Sequence, residues 1–295
     1  MGSRKSVQQI WRDTESGLVV PDGTVSDLSL SSSQTYLRIK EKALAVEELY
    51  STNNVPLNSA SDIARLIADS KTLSDSWLIG QSDKYSMALL FRVGFFNRIA
   101  DSVLPLCNVA DRSRFLRILA SGSLNLLERK RSTAKDILWE LEMWEILKRQ
   151  SFNAILEEPP DIVVEFDNSQ IGIACKKLYS EKHVQNVLSQ AVAQIEASFD
   201  FGIVAINIDD LVPANHILRT PTQETMSQHI SILNDRFLKT HERHFRKYLA
   251  GDGSSLPLFP PASWLMSIVD IRDLTTLDRL PFGRYLAFFP RRIDN

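Results

Sequence analysis

Only two cysteines, Cys107 and Cys175, occur in the 295 residues. Two thiols make no disulfide framework, and their scarcity fits a reducing cytoplasm. No apolar run approaches the roughly 20 residues of a membrane-spanning helix, so no membrane partner is expected. The segment Met1-Gly2-Ser3-Arg4-Lys5-Ser6 lacks the apolar core of a signal peptide. It does fit the short myristoylation pattern, which is too permissive to build on. The formal net charge is only −2, so the chain as a whole does not advertise nucleic-acid binding, and any such surface must be local. No internal repeat or low-complexity tract is present. No Ser-His-Asp or Cys-His arrangement points to a nucleophilic enzyme. His241 and His244 have no cysteine or acidic pattern around them that would make a zinc site, and they read as surface residues of a basic helix.

What the chain does have is one informative stretch, Asp136 to Gln194. Asp136–Leu147 reads as a helix with Ile137, Leu141, Trp144, Ile146 and Leu147 on its apolar side. Glu140 lies three residues after Ile137 and four before Trp144, within that stripe, whereas Glu142 and Glu145 read as solvated. After the turn signal Glu157-Glu158-Pro159-Pro160 come two apolar runs, Asp161–Phe166 and Ile171–Cys175. Alternation puts Asp161, Val163 and Glu165 on one face of the first strand, and Gly172, Ala174 and Lys176 on one face of the second. A hairpin centred on Asn168-Ser169 would pair Phe166 with Ile171 and Asp161 with Lys176. Such a pair is ordinarily a cross-strand ion pair of little consequence. A carboxylate on a buried helix face, however, needs a partner or a metal, so Glu140, Asp161 and Lys176 are expected to converge.

This pattern resembles the PD-(D/E)xK nuclease superfamily, the restriction-endonuclease-like fold. The residues that carry the resemblance are Glu140 in Trp139-Glu140-Leu141, then Pro160-Asp161 at a strand start. The acid-x-lysine slot follows as Ala174-Cys175-Lys176, and a helix glutamine as Gln190 or Gln194. They cover about a quarter of the chain, residues 132–210. Their order and secondary-structure context agree with what such a short motif requires.

One departure stands out. The family has Glu or Asp where this chain has Ala174. Three readings stay open: an inactivating substitution, a natural loss, or a ligand that has moved. The presence of every other element favours the first. Glu165 shares the strand face of Asp161 but stands near the turn, too far to substitute.

The resemblance implies phosphodiester hydrolysis by water. Asp161, the slot at Ala174 and Glu140 would hold Mg²⁺, with Mn²⁺ as a substitute, since hard cations favour carboxylate oxygens. Lys176 would orient or deprotonate the water, and Gln190 or Gln194 would position Lys176 or the substrate. The expected partner is nucleic acid, double-stranded DNA above RNA. By analogy the setting is bacterial restriction or anti-phage defence, with a homodimer or a partner protein. The competing expectation is a catalytically dead nuclease fold that binds nucleic acid or protein.

The expected fold is α/β: a restriction-endonuclease-like core, meaning a central mixed sheet flanked by helices, over residues 129–295. An α-helical N-terminal region occupies residues 1–128. Helices are expected at 7–12, 31–50, 59–70, 83–100 and 111–128, with Ser59 or Ser61 capping the third. Phe201–Ile208 reads as a strand parallel to its predecessor. Residues 222–250 read as a long helix, ended by Gly251-Asp252-Gly253, and strands follow at 263–271 and 284–289. Arg112, Arg114, Arg117, Arg129, Lys130, Arg131 and Lys135 form a basic excess. It is either solvated helix surface or a phosphate-contacting surface.

Overall fold

The computed structural model describes residues 11–13, 19–21, 34–78, 87–126, 128–166, 169–199, 201–211, 223–249, 262–268, 279–280 and 283–288. In chain order the elements begin with strands β1 (Trp11–Asp13), β2 (Val19–Pro21) and β3 (Gln34–Thr35). Helices α1 (Tyr36–Thr52), α2 (Asp62–Leu78), α3 (Met87–Val103), α4 (Arg112–Ser121) and α5 (Thr133–Arg149) follow. Next come β4 (Asn153–Glu157), β5 (Asp161–Phe166), β6 (Ser169–Lys177), α6 (Val184–Glu196) and β7 (Phe201–Asn207). The chain continues with α7 (Gln223–Leu249), β8 (Ala262–Ile268), β9 (Arg279–Leu280) and β10 (Gly283–Phe288).

Contacts divide these elements into two compact units. One comprises Met1–Leu30, Leu147–Ser267 and Arg284–Asn295, and the other Ser31–Ile146 and Ile268–Gly283. The first is the sheet unit and the second the helical unit. The division falls within the last turn of α5, so Glu140 belongs to the helical unit.

In the sheet unit, the strands run in the order β10-β8-β7-β6-β5-β4. β4, β5 and β6 pair antiparallel, while β6 pairs parallel with β7, and β7 with β8. The sheet is therefore mixed, as expected, and helix α6 makes the crossover from β6 to β7. Residues Val184, Leu188, Ala191 and Ile195 form the buried stripe of α6, at the spacing of one helix face. They pack with Ala174, Leu178, Val204, Ile206 and the α7 residues Phe237, Leu238 and Phe245. Close approach of α6 to the sheet requires a missing side chain. A Cβ at Gly202 would run into Ile195 and lie 2.8 Å from the Gly172 carbonyl oxygen.

Several expectations need correction. Strand β4 was missed: only Ala154 of its five residues is buried, and Ile155 is 48% exposed, so its pattern carries little apolar signal. Residues 11–12 are strand rather than helix, and residues 7–10 lie outside the described part. Helix α4 stops at Ser121, well short of residue 128. The expected strand 263–271 is described only to residue 268, and the glycine-rich break after α7 lies outside the described residues.

In the helical unit, α5 is buried nearly all round, with Leu138, Trp139, Leu141, Met143 and Trp144 all in the core. A single apolar stripe therefore does not exist to rank its acids. The buried carboxylate is Glu142, 1% exposed, which accepts from Arg98 Nε at 2.5 Å and Nη2 at 2.9 Å. Reading Glu142 as solvated was wrong, because it extends into the second apolar face and is neutralised there by a bidentate guanidinium. The basic excess of this unit is likewise partly internal. Arg112 donates to Asn53 Oδ1 and to the Cys107 and Val109 carbonyls. Buried Lys135 donates to the Glu128 and Lys130 carbonyls. Ser61 caps α2, its Oγ accepting from the Ala64 amide at 3.4 Å.

Removing one partner of the Arg98–Glu142 pair leaves a buried charge alone. Arg98→Ala should destabilise the chain by about 3–5 kcal/mol in urea unfolding. A loss under about 1 kcal/mol would mean that the pair is solvated.

Candidate functional site

The site begins with the β5–β6 register. Val163 pairs with Gly172 and Ile162 with Ile173, which carried one step further sets Asp161 opposite Ala174. The expected pairing of Asp161 with Lys176 was displaced by two residues. β5 ends at Phe166 and β6 begins at Ser169, which pairs with Phe166, so Ser169 is a strand residue rather than part of the hairpin centre. A shift of two preserves every face assignment, whereas a shift of one would have inverted them all.

Asp161 and Lys176 are therefore brought together on one face of adjacent strands. Lys176 Nζ lies 3.3 Å from Asp161 Oδ2, their side chains 19% and 7% exposed. The same oxygen accepts the Cys175 backbone amide at 2.6 Å. At this point the β5–β6 pairing ends, so the carboxylate stands in for the next backbone acceptor of the ladder. Burial pushes the Asp161 carboxyl above its ordinary range; Lys176 and the Cys175 amide pull it down, and the charge of Glu158 adds to the rise. The net direction is upward, so burial wins over an adjacent cation.

Position 174 completes the picture. Ala174 is 0% exposed, set in the cluster that α6 and α7 make over the sheet. Glu165 is exposed at the far end of β5, opposite Gln170, and accepts from Asn153. Four residues at ~3.3 Å each separate it from Asp161, so it cannot replace an acid at 174. Glu140 is half-buried on α5, within the helical unit. On α6, Gln190 is exposed and Gln194 half-buried. Gln194 Oε1 is buried without a hydrogen-bond partner among the described residues.

Sequence reasoning missed three features of this sheet end. Glu157 stands in register opposite Asp161 across β4 and β5, and Glu158 acts on Asp161 electrostatically. Both were taken only as turn residues beside Pro159-Pro160. Lys177, next to Lys176 but on the opposite strand face, is locked: its Nζ meets Asn207 Oδ1 at 2.9 Å and Asp210 Oδ2 at 3.0 Å. Its side chain is 5% exposed and that of Asp210 2%. The Pro-rich turn hid the acids, and adjacency hid the division between the lysines. Of the two lysines, only Lys176 retains access to solvent. His241 also needs correction. It is buried, packs tilted against Phe237 with ring centroids 4.7 Å apart, and sets Nε2 3.1 Å from Glu181 Oε2, so it ties α7 to the segment after β6.

A divalent ion does not fit the residues as they stand. Across β5 and β6 the facing positions offer one carboxylate, Asp161, with one oxygen already engaged by an amide and an ammonium, and an alanine across from it; exposed Glu157, opposite Asp161 on β4, brings the acids in register to only two. Among the described residues no three His, Cys, Asp or Glu side chains group to hold a metal. No family model, curated protein or solved structure matches this chain.

The raised carboxyl has a direct consequence. Between the ordinary and the raised value, the folded state holds a proton that the unfolded state has released, so stability falls as pH rises through that window. A carboxyl-carbon NMR titration should place the Asp161 midpoint above that of an exposed aspartate, and Lys176→Met should move it higher still. A midpoint below the ordinary range would mean that Lys176, not burial, governs the group.

Proposed function

We propose that the Asp161–Lys176 sheet end is the framework of a PD-(D/E)xK-type phosphodiesterase site on a restriction-endonuclease-like core. In this chain the second strand carboxylate is replaced by Ala174. The chain as it stands is then a nucleic-acid-binding protein that hydrolyses poorly. With an acid at 174 the same framework is a Mg²⁺-dependent endonuclease, with DNA as the first substrate to test. The supporting observation is that Asp161 stands opposite residue 174 on the same strand face as Lys176, with Lys176 Nζ 3.3 Å from its carboxylate.

The residues suit this chemistry in kind. Lys176 is a partly exposed cation beside a carboxylate, able to offset phosphate charge and to orient a water held by Asp161. Gln194, with an unengaged buried oxygen, is the better candidate of the two glutamines for positioning. Gln190 points to solvent and would serve only a bound substrate.

A second reading is favoured by the packing of Ala174. A fully buried alanine in an apolar cluster suits a chain in which that position has settled as core, acting solely as a binding subunit. The two readings separate on a substitution. Ala174→Glu should cut plasmid DNA with Mg²⁺ or Mn²⁺, stop with a chelator, and lose activity again with Asp161→Ala or Lys176→Ala. The gain should reach at least about a hundredfold over the present chain. Ala174→Asp, which is shorter, covers the case in which Glu fails to fold. If both variants fold and bind DNA yet leave DNA and RNA intact with every divalent ion, the binding-subunit reading stands. Efficient cutting by the unmodified chain would overturn the assignment of position 174.

A further inference from the structure

Helix α7 separates its charges sharply. Between residues 235 and 248, six positions are exposed. Five are Arg236, Lys239, Arg243, Arg246 and Lys247, and the sixth is Thr240. At 3.6 residues per turn the five basic residues fall within an arc of about 100° and extend over about 16 Å of helix. The acids of this stretch, Asp235 and Glu242, are half-buried, and Glu242 is bonded to Arg246 at 2.7 Å. A chain with net charge −2 thus collects a one-signed stripe on a single helix face, with no exposed acid among these positions.

The opposite face fixes the stripe to the candidate site. Phe237, Leu238 and Phe245 pack in the same core cluster as Ala174 and Leu178. His241 meets Glu181, four residues beyond Lys177. Arg112 of the helical unit is bonded within its own fold; these five side chains are exposed, Arg246 while bonded to Glu242.

We infer that the exposed face of α7 is the surface along which a nucleic-acid duplex lies, through its phosphate backbone. This rests on the nucleic-acid reading of the site and says which surface provides the affinity. Over 16 Å a duplex presents about ten phosphate charges, so five cations at helical spacing meet a dense anionic partner without base readout. An anionic membrane is the competing occupant, because Ile232 and Leu233 are exposed one turn earlier, at 61% and 42%.

The test is the salt dependence of binding to a labelled 30-base-pair duplex, measured by anisotropy in EDTA. The unmodified chain should bind, with affinity falling steeply as KCl rises. The variant Arg236→Gln/Lys239→Gln/Arg243→Gln/Lys247→Gln should bind at least about ten-fold more weakly on every sequence. Its log–log slope should be shallower by about 3.6, with an unchanged unfolding midpoint. The pairs Arg236→Gln/Arg243→Gln and Lys239→Gln/Lys247→Gln should each show about half the change. Lys239→Arg/Lys247→Arg should show none. Binding by the unmodified chain with an unchanged slope in the folded variant overturns the inference and leaves the nucleic-acid reading intact. Absence of binding to both DNA and RNA at low salt overturns that reading as well. Stripe-dependent binding to phosphatidylserine vesicles but not to the duplex assigns the face to a membrane.

Discussion

Where β5 begins, its antiparallel ladder with β6 runs out, and the Asp161 carboxylate takes over by accepting the Cys175 amide at 2.6 Å. That one bond holds the carboxylate against the sheet, within 3.3 Å of Lys176 and across from residue 174. It also explains why a buried carboxylate is tolerated there. The amide and the ammonium compensate part of the desolvation that raises its pKa. The same contacts serve a structural capping role and a chemical one equally well. Asp161 alone therefore does not identify an enzyme.

Position 174 sits where two demands meet. On the strand face it stands in register opposite Asp161. In the layer above the sheet it touches the core that α6 and α7 build. Alanine satisfies the second demand. A carboxylate there would satisfy the first only when a cation neutralised it, since a bare buried charge is costly. Across the sheet, Lys177 meets its own electrostatic need with Asn207 and Asp210. The last two residues of β6 therefore divide into one accessible lysine and one internal lysine.

Much of the sheet was readable from alternation. Period two placed Asp161, Ala174 and Lys176 on one face, and that survived a hairpin register wrong by two residues because two is the repeat of the strand. The parallel step from β6 to β7 followed from a strand-helix-strand order. What was not readable has particular physical causes. Helix α5 is apolar around nearly its whole circumference, so helical spacing singled out Glu140 and passed over Glu142, whose partner Arg98 lies 44 residues away. β4 is an outer strand with one buried residue, below what a periodic signal needs. His241 looked like a surface histidine among basic neighbours, yet it occupies the single face on which α7 meets the core. The charge stripe on the other face of that helix was visible in the residue types; its exposure required the fold.

The central proposal is that Asp161 and an acid placed at residue 174 would share one divalent ion beside Lys176. Metal-linked stability tests it most directly, through the thermal unfolding of the Ala174→Glu chain with and without Mn²⁺. The account predicts a lowered midpoint without the ion and an ion-dependent rise toward the original value, since a ligand bound only by the folded state stabilises it. It predicts no such rise in the unmodified chain or when Asp161→Ala is added. An Ala174→Glu midpoint that does not respond to Mn²⁺, or that responds equally with Asp161→Ala in place, would contradict it.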